Sequence, residues 1–341
     1  MTGKELFKEI KAFYAKRKLI INLVVLAVLL ALPQLVNSNY IMGIICRMLL
    51  YSVLAGSLNA INGYSGQFNI GHAGFFCIGA YTEAILATRF GVSFWILLVV
   101  SGISASLVGF LISLPTMRLR GIYLAIVTLG FSEIIRILAL NWSSVTGGPM
   151  GIKDIPSPVF MGKVISRASD YYYIFLLVAV VFLVITGRVL KSRVGRAWIS
   201  IREDETAAKS LGVESRFYKS INFMYGSFWA GVAGATFAPY YRFISSDMFT
   251  LDEGFNILSM VIIGGQGTLV GPLAGALIVT LITEVFRFAA QYRMVIYAIL
   301  IIAMMWWRPQ GLVGAYDSVF AVKKKNQKPL KMESAKVGER S

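Results

Sequence analysis

The sequence predicts an all-α polytopic integral membrane protein of about ten transmembrane helices, one or two of them broken or short. Three observations carry this. Hydrophobic residues make up 57% of the 341 residues and charged residues 15%, against about 25% charged in soluble domains. The apolar residues lie in runs of the length a bilayer demands, about 20 residues each as helix. The basic excess, +16 net, sits between those runs and at the termini and not in a folded basic domain, so it reads as membrane topology and not as a nucleic-acid surface.

The elements follow in order. Residues 1–18 form a basic N-terminal segment (Lys4, Lys8, Lys11, Lys16, Arg17, Lys18). The apolar run Leu19–Val36 that follows exceeds a signal-peptide core and has no clear A-x-A site after it, which reads as an anchor. Further spans are expected near Ile41–Leu58, Phe68–Thr88, Phe94–Leu114, Gly121–Leu140, Tyr171–Val189, Ile221–Tyr240, Phe255–Gly265, Leu269–Ala289 and Met294–Trp307. The run Phe255–Gly265 is short and enters Gly264-Gly265-Gln266-Gly267, which predicts a broken or re-entrant element. The transmembrane domain therefore covers 19–313, with a cytoplasmic loop at about 190–219 and a basic tail at 314–341. Small residues recur at every fourth position (Ser101, Ala105, Gly109; Gly226, Ala230, Gly234, Ala238; Gly267, Gly271, Gly275), the pattern of close helix packing within one subunit.

Lysine and arginine are retained on the cytoplasmic side. Placing the N-terminus inside puts 24 basic residues on the inner face and six on the outer, with Arg47, Arg136 and Arg287 inside spans. Ten spans bring both termini and the 188–219 loop to the same side, so parity and charge agree. The Lys323-Lys324-Lys325 run reads as a solvated tail beside anionic lipid headgroups.

Chemistry is sparse. Cys46 and Cys77 fall in apolar segments without disulfide or zinc spacing, and His72 is the sole histidine. No metal site and no catalytic residue is expected. Gly63-Tyr64-Ser65-Gly66 with His72 only loosely fits a serine protease, because the base would come from the same segment as the nucleophile. The chain contains no GxxxxGK[ST] phosphate loop, so it holds no P-loop nucleotide site of its own.

Three groups of residues are candidates for function. In the cytoplasmic loop, helix formers run from Glu203 to Leu211 with acids at the N-terminal end and Gly212 as a stop, predicting a short exposed helix with apolar spots at Ile199, Ala207, Ala208 and Leu211. At the inner edge of the third span, Asn62, Gln67, Asn69 and His72 mix with Gly63, Gly66, Gly71, Gly74 and Gly79. This is either a broken-helix substrate path or gate, or a tight turn whose polar groups satisfy each other. Gly264, Gly265 and Gln266 are the corresponding feature later in the chain. Near the outer ends, Glu133 with Arg136 and Glu284 with Arg287 repeat an i, i+3 spacing suited to local ion pairs, as braces or as docking points. Glu83 has no local partner and is a candidate for pairing across helices.

The cytoplasmic loop resembles the coupling segment of ABC importer membrane subunits, whose Glu-x-Ala-Ala core followed by Gly is matched by Glu205, Ala207, Ala208 and Gly212. More specifically, the chain resembles the membrane subunits of branched-chain amino-acid importers, of the longer M type. The stretches that carry this are Gly63–Tyr81 (GYSGQFNIGHAGFFCIGAY), Arg118–Gly130 (RLRGIYLAIVTLG), Thr146-Gly147-Gly148, Gly264–Pro272 (GGQGTLVGP) and Arg308–Leu312 (RPQGL). They are long, ordered motifs covering roughly residues 50–313. Asn69 stands where the family commonly has Ser, and Cys77 where a small residue is usual.

The resemblance implies a permease subunit, not itself an enzyme, in a bacterial or archaeal plasma (inner) membrane. Its partners would be a second homologous permease, two cytoplasmic ABC ATPases that use ATP and Mg, an extracytoplasmic substrate-binding protein and membrane lipid, with no cofactor bound by this chain. Arg196, Arg202, Glu203, Glu205, Ala207, Ala208, Leu211 and Gly212 would couple to the ATPases. The substrates implied are leucine, isoleucine and valine. Urea importers share the pattern, and an ion-coupled secondary transporter using Glu83 or Glu133 is the rival from another class.

Overall fold

The computed structural model describes residues 29–313 except 37, 118, 120, 161, 287–291 and 309. Most of the first expected span, the basic N-terminal segment, the tail and Arg287 lie outside the described residues. Residues 29–35 are helical. Eleven helices of six or more residues follow among the described residues: α1 (Asn39–Asn59), α2 (His72–Phe90), α3 (Phe94–Thr116), α4 (Ile122–Asn141), α5 (Ala168–Lys191), α6 (Arg193–Glu203), α7 (Glu205–Ser210), α8 (Ser215–Tyr241), α9 (Leu251–Gly264), α10 (Gly271–Val285) and α11 (Arg293–Trp307). Two small antiparallel ladders are present: β1 (Ile152–Lys153) with β4 (Phe243–Ile244), and β2 (Val159–Phe160) with β3 (Lys163–Val164).

Among the described residues, four helical stretches are long and apolar enough to cross a membrane: Asn39–Tyr64, Phe94–Thr116, Ile122–Asn141 and Ala168–Lys191. Gly271–Val285 and Val295–Met304 are shorter apolar helices. The helix α8 is less apolar but 27 residues long, about 40 Å at 1.5 Å per residue. It is the most enclosed element, with Asn222, Ser227 and Thr236 all buried. A helix surrounded by protein can carry such residues where a lipid-facing one cannot, because neighbouring helices supply the hydrogen-bond partners.

The small-residue ridges pack against one another inside the chain. A Cβ on Gly234 would collide with the Phe76 carbonyl, one on Gly79 with the Gly231 backbone, and one on Gly109 with Ser227. The helices α2, α3 and α8 therefore meet backbone to backbone. On the other side of the molecule, Gly275 lies against the Met260 carbonyl and Gly264 against Gly271, which presses α9 against α10. Intrasubunit packing is what the fourfold spacing encodes here.

Two expected boundaries shift. The third span does not begin at Phe68: residues 65–71 are not helical and α2 starts at His72. The reason lies upstream, where α1 ends in a π-helical turn, Ala60–Tyr64, and Gly66 reverses the chain at φ +69°. The seventh span starts at Ser215 and not at Ile221. The break expected near residue 264 is present: α9 has 14 residues, and Gly265 and Gly267 take φ of +117° and +76°, conformations only glycine adopts freely.

Candidate functional site

One end of the fold is built on two glycine turns that touch. The first, residues 60–71, leaves helical geometry, so its backbone groups must find partners elsewhere in the protein. Asn62 Nδ2 donates to the Asn69 carbonyl (3.1 Å), and the Asn69 N–H donates back to Asn62 Oδ1 (3.1 Å). Asn69 Oδ1 accepts from the Gly71 N–H, and Thr128 Oγ1 of α4 accepts from the Ile70 N–H. Gln67 Nε2 reaches Ser65 Oγ at 2.7 Å and the foot of α8 at the Lys219 carbonyl and Asn222 Oδ1. Asn222 Nδ2 in turn donates to the Ala60 carbonyl. His72 Nε2 and Ser57 Oγ lie 2.7 Å apart. The five polar and glycine residues singled out here, Asn62, Gly63, Gln67, Asn69 and His72, are all buried, and their side-chain bonds run largely among themselves and to α8.

The second turn, residues 264–270, is stitched to the first by Asn59. Its Nδ2 donates to the Thr268 carbonyl and its Oδ1 accepts from the Gly267 N–H, both at 2.8 Å. Gly264 and Gly265 are buried in this contact, while Gln266 is exposed. The chain after α11 closes over the same place, with the N–H groups of Leu312 and Val313 donating to the carbonyls of Ile263 and Gly264.

The segment after α5 differs from the single helix expected over Glu203–Leu211. It is two helices, because Asp204 adopts an extended conformation and its Oδ1 caps α7, accepting from the N–H groups of Thr206 (2.8 Å) and Ala207 (3.0 Å). Asp is among the strongest N-capping residues, and this competes with helix continuation. Glu203 therefore closes α6. Gly212 stops α7 at φ +83° with open space around it, so backbone conformation alone calls for glycine there.

The segment is fastened to the membrane helices at three points. Trp198, buried, donates Nε1–H to the Tyr218 carbonyl (2.9 Å). Glu205 Oε2 pairs with Lys219 Nζ of α8 (2.9 Å) and its Oε1 with Lys209 (3.0 Å). Arg202 Nη1 donates to the Gly63 carbonyl at 2.5 Å. Of the apolar spots, Ala208 is buried whereas Ala207 and Leu211 are exposed, Leu211 at 84%. Arg196 and Glu203 are exposed as well, and Arg196 donates to the Lys191 carbonyl. Glu205 thus acts as a strut onto α8, and the free face is formed by Ala207, Leu211 and their charged neighbours.

At the other end of the helices the two acid–base pairs part company. Arg136 pairs with Glu133 on α4 as its spacing predicts, through Nε at 2.9 Å, and its Nη1 lies 3.9 Å from Asp247. Glu284, in contrast, bonds to α1: Arg47 Nη2 lies 2.6 Å from its Oε2, and Tyr40 donates its hydroxyl to Oε1. The expectation of a Glu284–Arg287 pair falls on a residue outside those described. The partner the structure does place beside Glu284 comes from another helix, because α1 packs along α10. Glu83 forms no cross-helix ion pair among the described residues. It is buried, its Oε2 lacks a hydrogen-bond partner, and it borders a cavity of about 310 Å³ with Ser93 and Ser157.

Arg47, Asn59, Lys219 and Asn222 were not singled out from sequence. Arg47 and Asn59 carried a usable signal, an ion and an amide in an apolar run. Lys219 and Asn222 carried none, since they sit in an ordinary polar approach to a span.

Residues 40–305 match the family described as branched-chain amino acid transport system / permease component. The chain is 39% identical over 322 residues to the high-affinity branched-chain amino acid transport system permease protein LivM of Escherichia coli K12, covering 87% of this chain and 75% of that one. It is 24% identical to the probable LivM permease of Methanocaldococcus jannaschii, covering 77% and 90%. The LivH permease of Salmonella typhimurium is 25% identical, covering 77% and 91%. No solved structure matches. A family match over most of the membrane domain, on a fold of packed apolar helices with broken inner turns, settles the class: the chain belongs to the branched-chain amino acid transport permease family, as an M-type member.

Proposed function

We propose that the chain is the M-type permease of an ATP-driven importer of leucine, isoleucine and valine, working beside a second, LivH-like permease. The observation that carries this is the 39% identity to the E. coli LivM permease across 87% of this chain. With no phosphate loop in its sequence, the chain leaves ATP and Mg to two cytoplasmic ATPases, which dock on the exposed face of α6–α7. An external binding protein delivers substrate to the opposite end. ATPases and binding protein each favour one orientation of the pore, and their differential affinity, driven by ATP, alternates access. The 60–71 turn serves as a gate rather than as a ligand shell, since most of its polar groups already bond within the chain, Asn69 Nδ2 being a buried exception. The inner face carries both termini, in accord with the basic count.

Reconstitution tests this. The complete complex in proteoliposomes should show ATP-dependent uptake and binding-protein-dependent ATPase stimulation by leucine, isoleucine or valine. Stimulation by urea alone would replace the amino-acid assignment, and uptake driven by an ion gradient without ATP would replace the importer.

A further inference from the structure

Arg202 occupies a place that neither docking nor local helix stability requires. It lies in the last turn of α6, two residues before the cap of α7, and although the residue is exposed, its guanidinium reaches the seam between the two glycine turns. Nη1 donates to the Gly63 carbonyl at 2.5 Å, inside the π-helical turn that ends α1. A Cβ on Gly267 would fall on Arg202 Nη1, and a Cβ on Gly66 would lie 3.2 Å from Arg202 Cγ. One Arg202 side chain therefore lies against the turn that follows α1 and the turn that divides α9 from α10, and at Gly267 an added Cβ would displace its Nη1. Asn59 already ties those turns together through Thr268 and Gly267, so a displacement felt by one is passed to the other.

The other two fastenings of the segment, Trp198 to Tyr218 and Glu205 to Lys219, end on α8. Arg202 adds a path that bypasses α8 and reaches the broken elements directly. The bond is suited to carrying load. It is charge-assisted, roughly twice as strong as a neutral hydrogen bond, and it satisfies a carbonyl that a broken helix would otherwise leave without a partner. The glycines at positive φ on either side, Gly66, Gly265 and Gly267, give both turns the freedom to change backbone conformation when pulled.

We propose that Arg202 is the positioning residue that transmits movement of the α6–α7 segment to both glycine turns, so that nucleotide-driven shifts of a docked ATPase reset the inner ends of α1, α9 and α10 together. The assignment rests on the importer reading above. It makes Arg202 act inward, on its own chain, rather than on the ATPase surface.

The test uses the full complex with Arg202→Met, Arg202→Lys and Gly267→Ala, scored by substrate molecules transported per ATP hydrolysed. Arg202→Met removes the donor while keeping an unbranched apolar stem, and the ratio should fall about tenfold or more, within the span of ordinary coupling energies. Arg202→Lys, which keeps one donor without the planar fork, should retain an intermediate ratio. Gly267→Ala should lower the ratio with Arg202 intact, because the added methyl takes the place of Nη1. A second readout is amide hydrogen exchange at residues 61–67 and 264–269 in the wild-type complex, with and without a non-hydrolysable ATP analogue; both turns should change protection together, and in Arg202→Met neither should. An assembled Arg202→Met complex with the wild-type ratio, even at reduced thermal stability, overturns the proposal. If the variants do not assemble, the wild-type exchange decides: an analogue that leaves either turn unchanged also overturns it. A wild-type complex that shows no ATP-dependent uptake removes the importer reading and this assignment with it, whereas a coupled wild type with a coupled variant removes this assignment alone.

Discussion

At the scale of single residues, ions inside the membrane domain are held by partners that sequence spacing does not always name. Arg136 keeps its i, i+3 partner Glu133, the arrangement a lone helix can provide. Glu284 bonds across to Arg47 and Tyr40, and its side chain is only 13% exposed. Removing the guanidinium there leaves a carboxylate with little water to replace it, at a cost of about 2 kcal/mol for a hydrogen bond to a charged group. Arg47→Met should therefore lower thermal stability in detergent, and adding Glu284→Gln should recover much of the loss, because the carboxylate charge that Arg47 balanced is gone. Additive losses in that double-mutant cycle would show that the two side chains do not depend on each other.

At the scale of elements, the cytoplasmic segment shows how one capping residue divides what would otherwise be a continuous helix. Asp204 accepts two backbone N–H groups at the start of α7, and α7 has only six residues, too short to hold itself together by propensity. Loss of such a cap costs about 1 kcal/mol. Asp204→Ala should leave the melting temperature of the membrane domain near wild type, speed amide exchange at residues 206–210 and reduce recovery of ATPases on purification. Asp204→Ser, which can still cap, should restore both. Unchanged exchange in Asp204→Ala would mean that the tie from Glu205 to Lys219 alone holds α7 in place.

At the scale of the whole molecule, turns and ladders sort into two ends. Residues 65–71, 192–214 and 265–270 gather at one, and the β1–β4 ladder with the Arg136–Asp247 contact lies at the other. The proposed orientation, which follows the basic count, makes the first end cytoplasmic. A cysteine at Ser210 should then react with a membrane-impermeant thiol reagent only in inverted vesicles, and one at Ser166 only in intact cells; both positions are exposed. Labelling of Ser210 in intact cells would reverse the sidedness.

The sequence by itself determined the class of fold, most helix positions, the break after Gly264, the helix stop at Gly212 and the small-residue seams. Each of these is written in a short window: apolar length, fourfold spacing, or a glycine at a required positive φ. The π-helical turn at Ala60–Tyr64 was not legible, because it arises where distant side chains capture backbone groups, Asn222 the Ala60 carbonyl and Arg202 the Gly63 carbonyl. For the same reason Glu205, placed by its motif on a docking face, turned out to bond to Lys219, and Glu284 found Arg47. Local pattern decides which residues can be helical and which can be buried. Only the tertiary structure decides which of several chemically adequate partners each buried ion or freed carbonyl takes, since that choice depends on which helices come to lie side by side.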